Sequence, residues 1–405
     1  MSSTRPAYRA HVGQRADSSP VSSDGPIGRL PSILIDLAAG RDAPGAAIDR
    51  RIVKLANEHG LTGLLWTWAR DHVSDAALKT ELAQNDLYVQ AHLAHVWKVL
   101  EDTVARLGAA GIEVATIKGV TAESRWYERR GERPCSDVDL LVSPVQLTRA
   151  SEAVRLLEPA HPWLPHVGSL VAKGRIQTIT THVDNLEVDL HFDLLKLGIP
   201  TLQSQEMWNQ TQPFVLPGGE SVRVLDDTLA LVHFLVHLNK DRFQRLLGYA
   251  DIARIVAQSQ VDWDRAECFA LGEGIEASTF RTLEVVLEKL SLPWPDELEH
   301  PRGPRVRVWN LIWRPRIRLR GIEGRLRFRR RQDWIALLAR HRTLEAFRWW
   351  IREMWPPAPV AEVRYRDIHG PYLWKLLMGR YITNRRKRAN LTRRVAGTKR
   401  PNGMS

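Results

Sequence analysis

A chain of 405 residues with a 44% hydrophobic and 26% charged share has the composition of an ordinary globular protein, long enough for two or three domains. Its net charge of +12 is concentrated: residues 301–330 hold eleven Arg against one Glu, and residues 375–400 hold ten Lys or Arg and no acid, so the rest is mildly acidic. That pattern excludes a protein that coats nucleic acid over its whole surface, while two cysteines, Cys135 and Cys268, exclude a disulfide scaffold or a cysteine-based zinc site.

Residues 1–28 are polar and aperiodic, and are expected to be disordered. They contain no apolar segment of the kind a secretory signal needs. The longest strongly apolar run, around Leu229–Leu238, falls well short of the roughly 20 residues that cross a bilayer. A cytoplasmic protein with no transmembrane segment is expected. Residues 29–110 read as a helical N-terminal region, with Ile35, Leu37 and Ala38, then Ile52, Leu55 and Ala56, then Leu61, Leu64 and Leu65 at helical spacing. Asn57-Glu58-His59-Gly60 breaks two of these helices, and a long helix is predicted over 87–107.

After Gly111 the period changes, and residues 111–222 read as a separate core. Ile112–Ile117 is a buried strand ending in Lys118-Gly119, followed by a short helix from about Thr121 to Arg129 and a charged turn. Asp137-Val138-Asp139-Leu140-Leu141-Val142 is the next strand. Successive strand side chains point to opposite faces, so Asp137 and Asp139 share one face while Val138, Leu140 and Val142 enter a core on the other. Two carboxylates held side by side repel unless a cation lies between them, and all-oxygen ligands favour Mg²⁺ or Mn²⁺. Taken alone, an Asp-x-Asp is equally well an acidic exposed strand face. Pro144 opens a helix reaching about Leu157. Two β-rich runs, 178–183 and 186–192, flank Asp184-Asn185 as a hairpin. On the second, Glu187, Asp189 and His191 share a face, which brings a third carboxylate, Asp189, towards the first two.

Residues 223–300 are helical again, with Asp226 and Asp227 suited to a helix N-terminus. Pro293, Pro295 and the Pro301–Pro304 stretch end this unit. Residues 301–384 form a basic, helical C-terminal region in which 305–330 alternates Arg with apolar residues, including Trp309 and Trp313, and 385–405 is a basic flexible tail. The segments 305–330 and 375–400 suit an anionic partner, RNA or a membrane surface, and a solvated face equally well. His233 and His237, four apart on a helix, have zinc-ligand spacing but no evident third ligand.

The ordered set Lys118-Gly119, Tyr127, Arg133, Asp137-Val138-Asp139-Leu140-Leu141-Val142 and Val188-Asp189-Leu190-His191 resembles the uncharacterised nucleotidyltransferase family. In that branch of the DNA polymerase β-like superfamily, a Lys-Gly pair replaces the usual Gly-Ser. The resemblance continues through His237 and Tyr249-Ala250-Asp251-Ile252-Ala253 to Trp355-Pro356-Pro357 and Arg364-Tyr365. It implies an α+β fold, a small mixed sheet with helices, flanked by helical regions. It further implies transfer of a nucleoside monophosphate from an NTP to an acceptor, with Mg²⁺ (or Mn²⁺) on Asp137, Asp139 and Asp189. Lys118, the Gly119 backbone and Arg133 would hold the triphosphate. The acceptor class it suggests is a small molecule, glycan intermediate, peptide or protein. Against it stand three readings: an Asp-x-Asp glycosyltransferase, which leaves Lys118-Gly119 and Asp189 unexplained; a catalytically silent scaffold binding through the basic segments; and an RNA-extending polymerase, favoured only by those segments.

Overall fold

The computed structural model describes residues 31–311, apart from 44, 173–175, 195–203, 242, 304–305 and 308, and gives the backbone alone for 204–206. The expected disordered segment 1–28, the helix at 332–354, most of the basic stretch 305–330, the basic stretch 375–400 and the tail 385–405 lie outside the described residues.

Six strands form one mixed sheet of order β3-β4-β2-β1-β6-β5. They are β1 (Val114–Thr116), β2 (Asp137–Val142), β3 (Thr178–Val183), β4 (Leu186–His191), β5 (Thr211–Val215) and β6 (Ser221–Leu225). Pairing alternates along the sheet: β3/β4, β2/β1 and β6/β5 are antiparallel, whereas β4/β2 and β1/β6 are parallel. The β3–β4 hairpin turns at Asp184 (φ 49°) and Asn185 (φ 63°), two successive left-handed residues as a type I′ turn requires. Asx residues tolerate that conformation, which is why the turn falls there.

The alternation of β2 and β4 sorts their side chains to the two sheet faces as expected. Val138, Leu140, Val142, Val188 and Leu190 enter a core with the C-terminal part of α4 (Ala76–Ala109), α6 (Ala150–Leu157) and α7 (Val167–Ala172). Pro144 begins a 3-10 turn, Pro144–Arg149, before α6 starts at Ala150, so the single expected helix is two pieces. On the opposite face, Ala115, Ile117 and Leu141 join a second core. It is built from α1 (Ser32–Ala38), α2 (Arg50–His59), α3 (Thr62–His72), α5 (Val120–Trp126), α9 (Asp227–Lys240), α10 (Leu246–Gln258), α11 (Trp263–Gly272) and α12 (Glu276–Leu290). The helices before and after the sheet therefore share one core. α2 stops where the sequence breaks, with Gly60 left-handed at φ 74°. Asp226 caps α9 by accepting the Leu229 N–H (2.9 Å). Among the described residues no helix is long and apolar enough to cross a membrane.

Two parts of the core have no counterpart in the sequence reading. The short helix α8 (Ser204–Asn209) and the β5–β6 hairpin close one side of the sheet, and β6 runs to Leu225, past the expected boundary at 222. β5 carries Pro213, tolerated because the strand is at the sheet edge. The onset of the Arg–apolar alternation also behaves unlike a surface segment. Val306 and Trp309 are buried, Trp309 edge-on to Phe243 (6.3 Å between centroids) with the Arg281 guanidinium 5.7 Å from its ring. Trp309 is thus core rather than an interfacial anchor. Trp309→Ala should lower unfolding free energy by about 3–5 kcal/mol, read as a shift in urea midpoint. An unchanged midpoint would remove Trp309 from the core.

Candidate functional site

The acidic face of β2 and β4 looks towards α9. Parallel pairing aligns Asp139 with Asp189 and Asp137 with Glu187, so two carboxylates lie in adjacent register on neighbouring strands. Asp139 is buried, whereas Asp137 and Asp189 are half-buried. The groups that meet Asp139 come from two directions. Lys118, just beyond β1, forms an ion pair with Oδ2 (3.0 Å from Nζ), and His191, at the end of β4, donates from Nε2 to Oδ1 (2.8 Å).

Burial would push the Asp139 carboxyl up, but the His191 hydrogen bond and the Lys118 ammonium outweigh it and hold the group well below the usual carboxylate range. Lys118 shows the converse: burial pushes it down, and Asp139 and Asp137 more than reverse this, so its ammonium is held charged. Asp137 is shifted up by burial and then by Asp139, with Lys118 opposing. Asp189 accepts from the Thr180 hydroxyl across the β3–β4 pair.

Helix α9 supplies residues that motif reasoning did not place in the site. Lys118 Nζ also donates to His237 Nε2 (3.0 Å), and His237 Nδ1 donates to Asp241 (3.0 Å). Both ring nitrogens of His237 are thus engaged, and the tautomer is fixed by these partners. One turn back, His233 is buried with neither ring nitrogen hydrogen-bonded among the described residues. Burial, then His237 and Lys118, hold it neutral. The His233/His237 pair is accordingly no zinc site: one ring is walled in, the other occupied. The sequence signal for His237 was its four-residue spacing from His233, which marks a shared helix face without saying what that face meets.

Gly119 follows Lys118 at φ 75°, ψ −132°, a conformation only glycine adopts readily. A Cβ there would lie 3.0 Å from Cys135 Sγ. Cys135 is thus the wall of the turn. Burial pushes its thiol up to about 11, so it stays protonated.

Arg133 is also placed at this turn, but its guanidinium faces protein. It forms a two-pronged pair with Asp251 of α10 (2.8 and 3.0 Å) and donates to the Gly119 carbonyl (3.1 Å). Tyr127 Oη donates to the same Asp251 carboxylate (2.7 Å), and Arg254 stacks over the Tyr127 ring (4.5 Å). Asp251 is therefore paired with Arg133, and the cluster bolts α10 to the Lys118-Gly119 turn. The Arg133 guanidinium is thus engaged by protein partners, Asp251 and the Gly119 carbonyl.

Asp139, Asp189 and His191 present donor atoms that all lie within 4.8 Å of one another, a spacing that one divalent cation can bridge. The donor chemistry of the site fits a metal. Asp137, the other expected ligand, stands beside this cluster on the same strand face.

A family model described as an uncharacterised nucleotidyltransferase matches residues 47–282, well over half of the chain. Trp355-Pro356-Pro357 and Arg364-Tyr365 lie beyond the matched residues. A comparison with curated proteins finds no match.

Removing Asp251 would leave the Arg133 guanidinium buried and unpaired. Asp251→Ala should therefore cost about 3–5 kcal/mol in urea denaturation, and Arg133→Met in that background should recover part of the loss. Additive single-variant costs would show that the two side chains do not act as a pair.

Proposed function

The chain belongs to this nucleotidyltransferase family, and from that premise we propose that it moves a nucleoside monophosphate from an NTP to an acceptor. The observation that carries the reading is the register of β2 and β4, which sets Asp139 beside Asp189 with Lys118 bridging from the glycine turn. An acceptor hydroxyl or amine would attack the α-phosphorus. The bond to the pyrophosphate oxygen breaks, and the acceptor proton passes to the Asp189 carboxylate, already aligned by Thr180. Divalent cations on Asp137, Asp139 and Asp189, Mg²⁺ or Mn²⁺, would supply charge stabilisation at the attacking and leaving oxygens.

The remaining work is positioning and electrostatics. Lys118 lies between Asp139 and His237, so its ammonium can follow a β- or γ-phosphate oxygen while His237 and Asp241 keep the stem directed into the site. The Gly119 N–H would meet the same phosphates, from a turn clamped by Arg133 and Asp251. The mixed sheet, with β1 and β2 antiparallel, gives no support to the Asp-x-Asp glycosyltransferase reading, for which a parallel nucleotide-binding half would be expected. Retention of all three carboxylates argues against a silent scaffold. We assign the acceptor to small molecules, glycan intermediates, peptides or proteins, with an anionic partner at 305–330 and 375–400 as a further proposal.

The test is incubation of the full chain with each α-³²P-labelled NTP, Mg²⁺ or Mn²⁺ and cell extract, reading pyrophosphate release and labelled products. The Asp137→Ala/Asp139→Ala variant should lose transfer by at least about 10³-fold, equivalent to roughly 4 kcal/mol of barrier. Absence of metal-dependent turnover with every NTP would overturn the reading.

A further inference from the structure

The three-carboxylate assignment leaves one buried donor of the site unexplained. His191 sits two residues beyond Asp189 on β4, on the same face, is 1% exposed, and reaches Asp139 at 2.8 Å. Its simplest role is to hold the Asp139 carboxylate in place. That role needs proximity to Asp139 alone, yet the His191 donor lies within 4.8 Å of the Asp189 oxygen as well. Nor is the imidazole required to neutralise Asp139, because Lys118 already meets the other oxygen at 3.0 Å. What two carboxylates and an imidazole converging at such distances have in common is a metal centre.

We propose that His191 is itself a metal ligand, so that Asp139, Asp189 and His191 form a mixed nitrogen–oxygen site that selects Mn²⁺ or another imidazole-accepting first-row ion over Mg²⁺. The inference rests on the metal-dependent reading above and deepens it, by naming the ion class the centre takes. The physical basis is the ligand set. Mg²⁺ favours oxygen donors in near-ideal octahedral geometry and retains its waters, whereas imidazole suits the later divalent ions, whose affinities rise along the Irving–Williams order. The strand context reinforces the choice. Asp189 and His191 stand on a rigid, fully paired strand, and Asp139 is fixed opposite by register.

The experiment uses the full chain stripped with EDTA and titrated with Mn²⁺, followed by the loss of the free-ion EPR signal, then repeated in competition with Mg²⁺. Wild type should hold Mn²⁺ at least about 10²-fold more tightly than Mg²⁺, the equivalent of roughly 2.7 kcal/mol. His191→Gln should weaken Mn²⁺ by 10-fold or more while changing Mg²⁺ little, so that the preference collapses. Electron spin echo modulation of the Mn²⁺-loaded wild type reads ligation directly and needs no variant to fold: a directly bound imidazole ¹⁴N should appear, and should vanish in His191→Gln. An oxygen-only manganese spectrum in wild type, or a nitrogen signal that persists in the variant, would overturn the proposal. Nucleotidyl transfer is assayed separately. Turnover with an oxygen-only spectrum sinks His191 as a ligand and leaves the transferase reading standing. A bound nitrogen without turnover on any NTP does the reverse.

Discussion

A carboxylate taken out of water has to be answered by positive charge close at hand, and the organisation of this protein follows from how Asp139 is answered. Its two oxygens meet Lys118 from the turn after β1 and His191 from the end of β4, so three adjacent strands of the sheet converge on one side chain. Removing Lys118 would leave the Asp139 charge stranded in a low-dielectric interior, which is far more costly than the pair itself is stabilising. The arrangement is therefore a constraint on the fold as much as a device for chemistry. It fixes the register of β2 against β4, and it ties the position of Lys118 to that register.

A second buried pair, Arg133 with Asp251, extends the same logic to the helices. Because Arg133 also holds the Gly119 carbonyl, the conformation of the glycine turn depends on a carboxylate carried by α10, 118 residues beyond Arg133 in the chain. Tyr127 completes the cluster from the end of α5. Sheet and helical lobe meet at this cluster, and any strain at the turn would be felt in the helical core.

Much of this was legible in the residues. The period-two pattern of Asp137–Val142 and Leu186–His191 assigns the acidic and apolar faces, and Asp184-Asn185 places the hairpin turn, because alternation and turn chemistry are local properties. The β5–β6 hairpin was not legible. Pro213 weakens β5 as a strand, and its exposed face offers little alternation to detect. Partners across the fold were equally hidden: nothing in the sequence near Arg133 says that Asp251 will meet it, so an arginine beside an acidic motif reads as a phosphate ligand. Trp309 shows the same limit, since an aromatic among arginines looks interfacial until Phe243 and Arg281 are found against it.

The long helix α4 has a further consequence. Its 34 residues run about 50 Å at 1.5 Å per residue. Leu78 and Leu82 belong to the helical core, whereas Leu93 to Leu107 belong to the core beneath the sheet. A single unbroken rod shared by both cores leaves no joint about which one could swing over the other. Substrates would thus meet a site whose sheet and helices are already held together, with little ordering to be done on arrival, and discrimination among them would come from fit to a rigid shape rather than from domain closure.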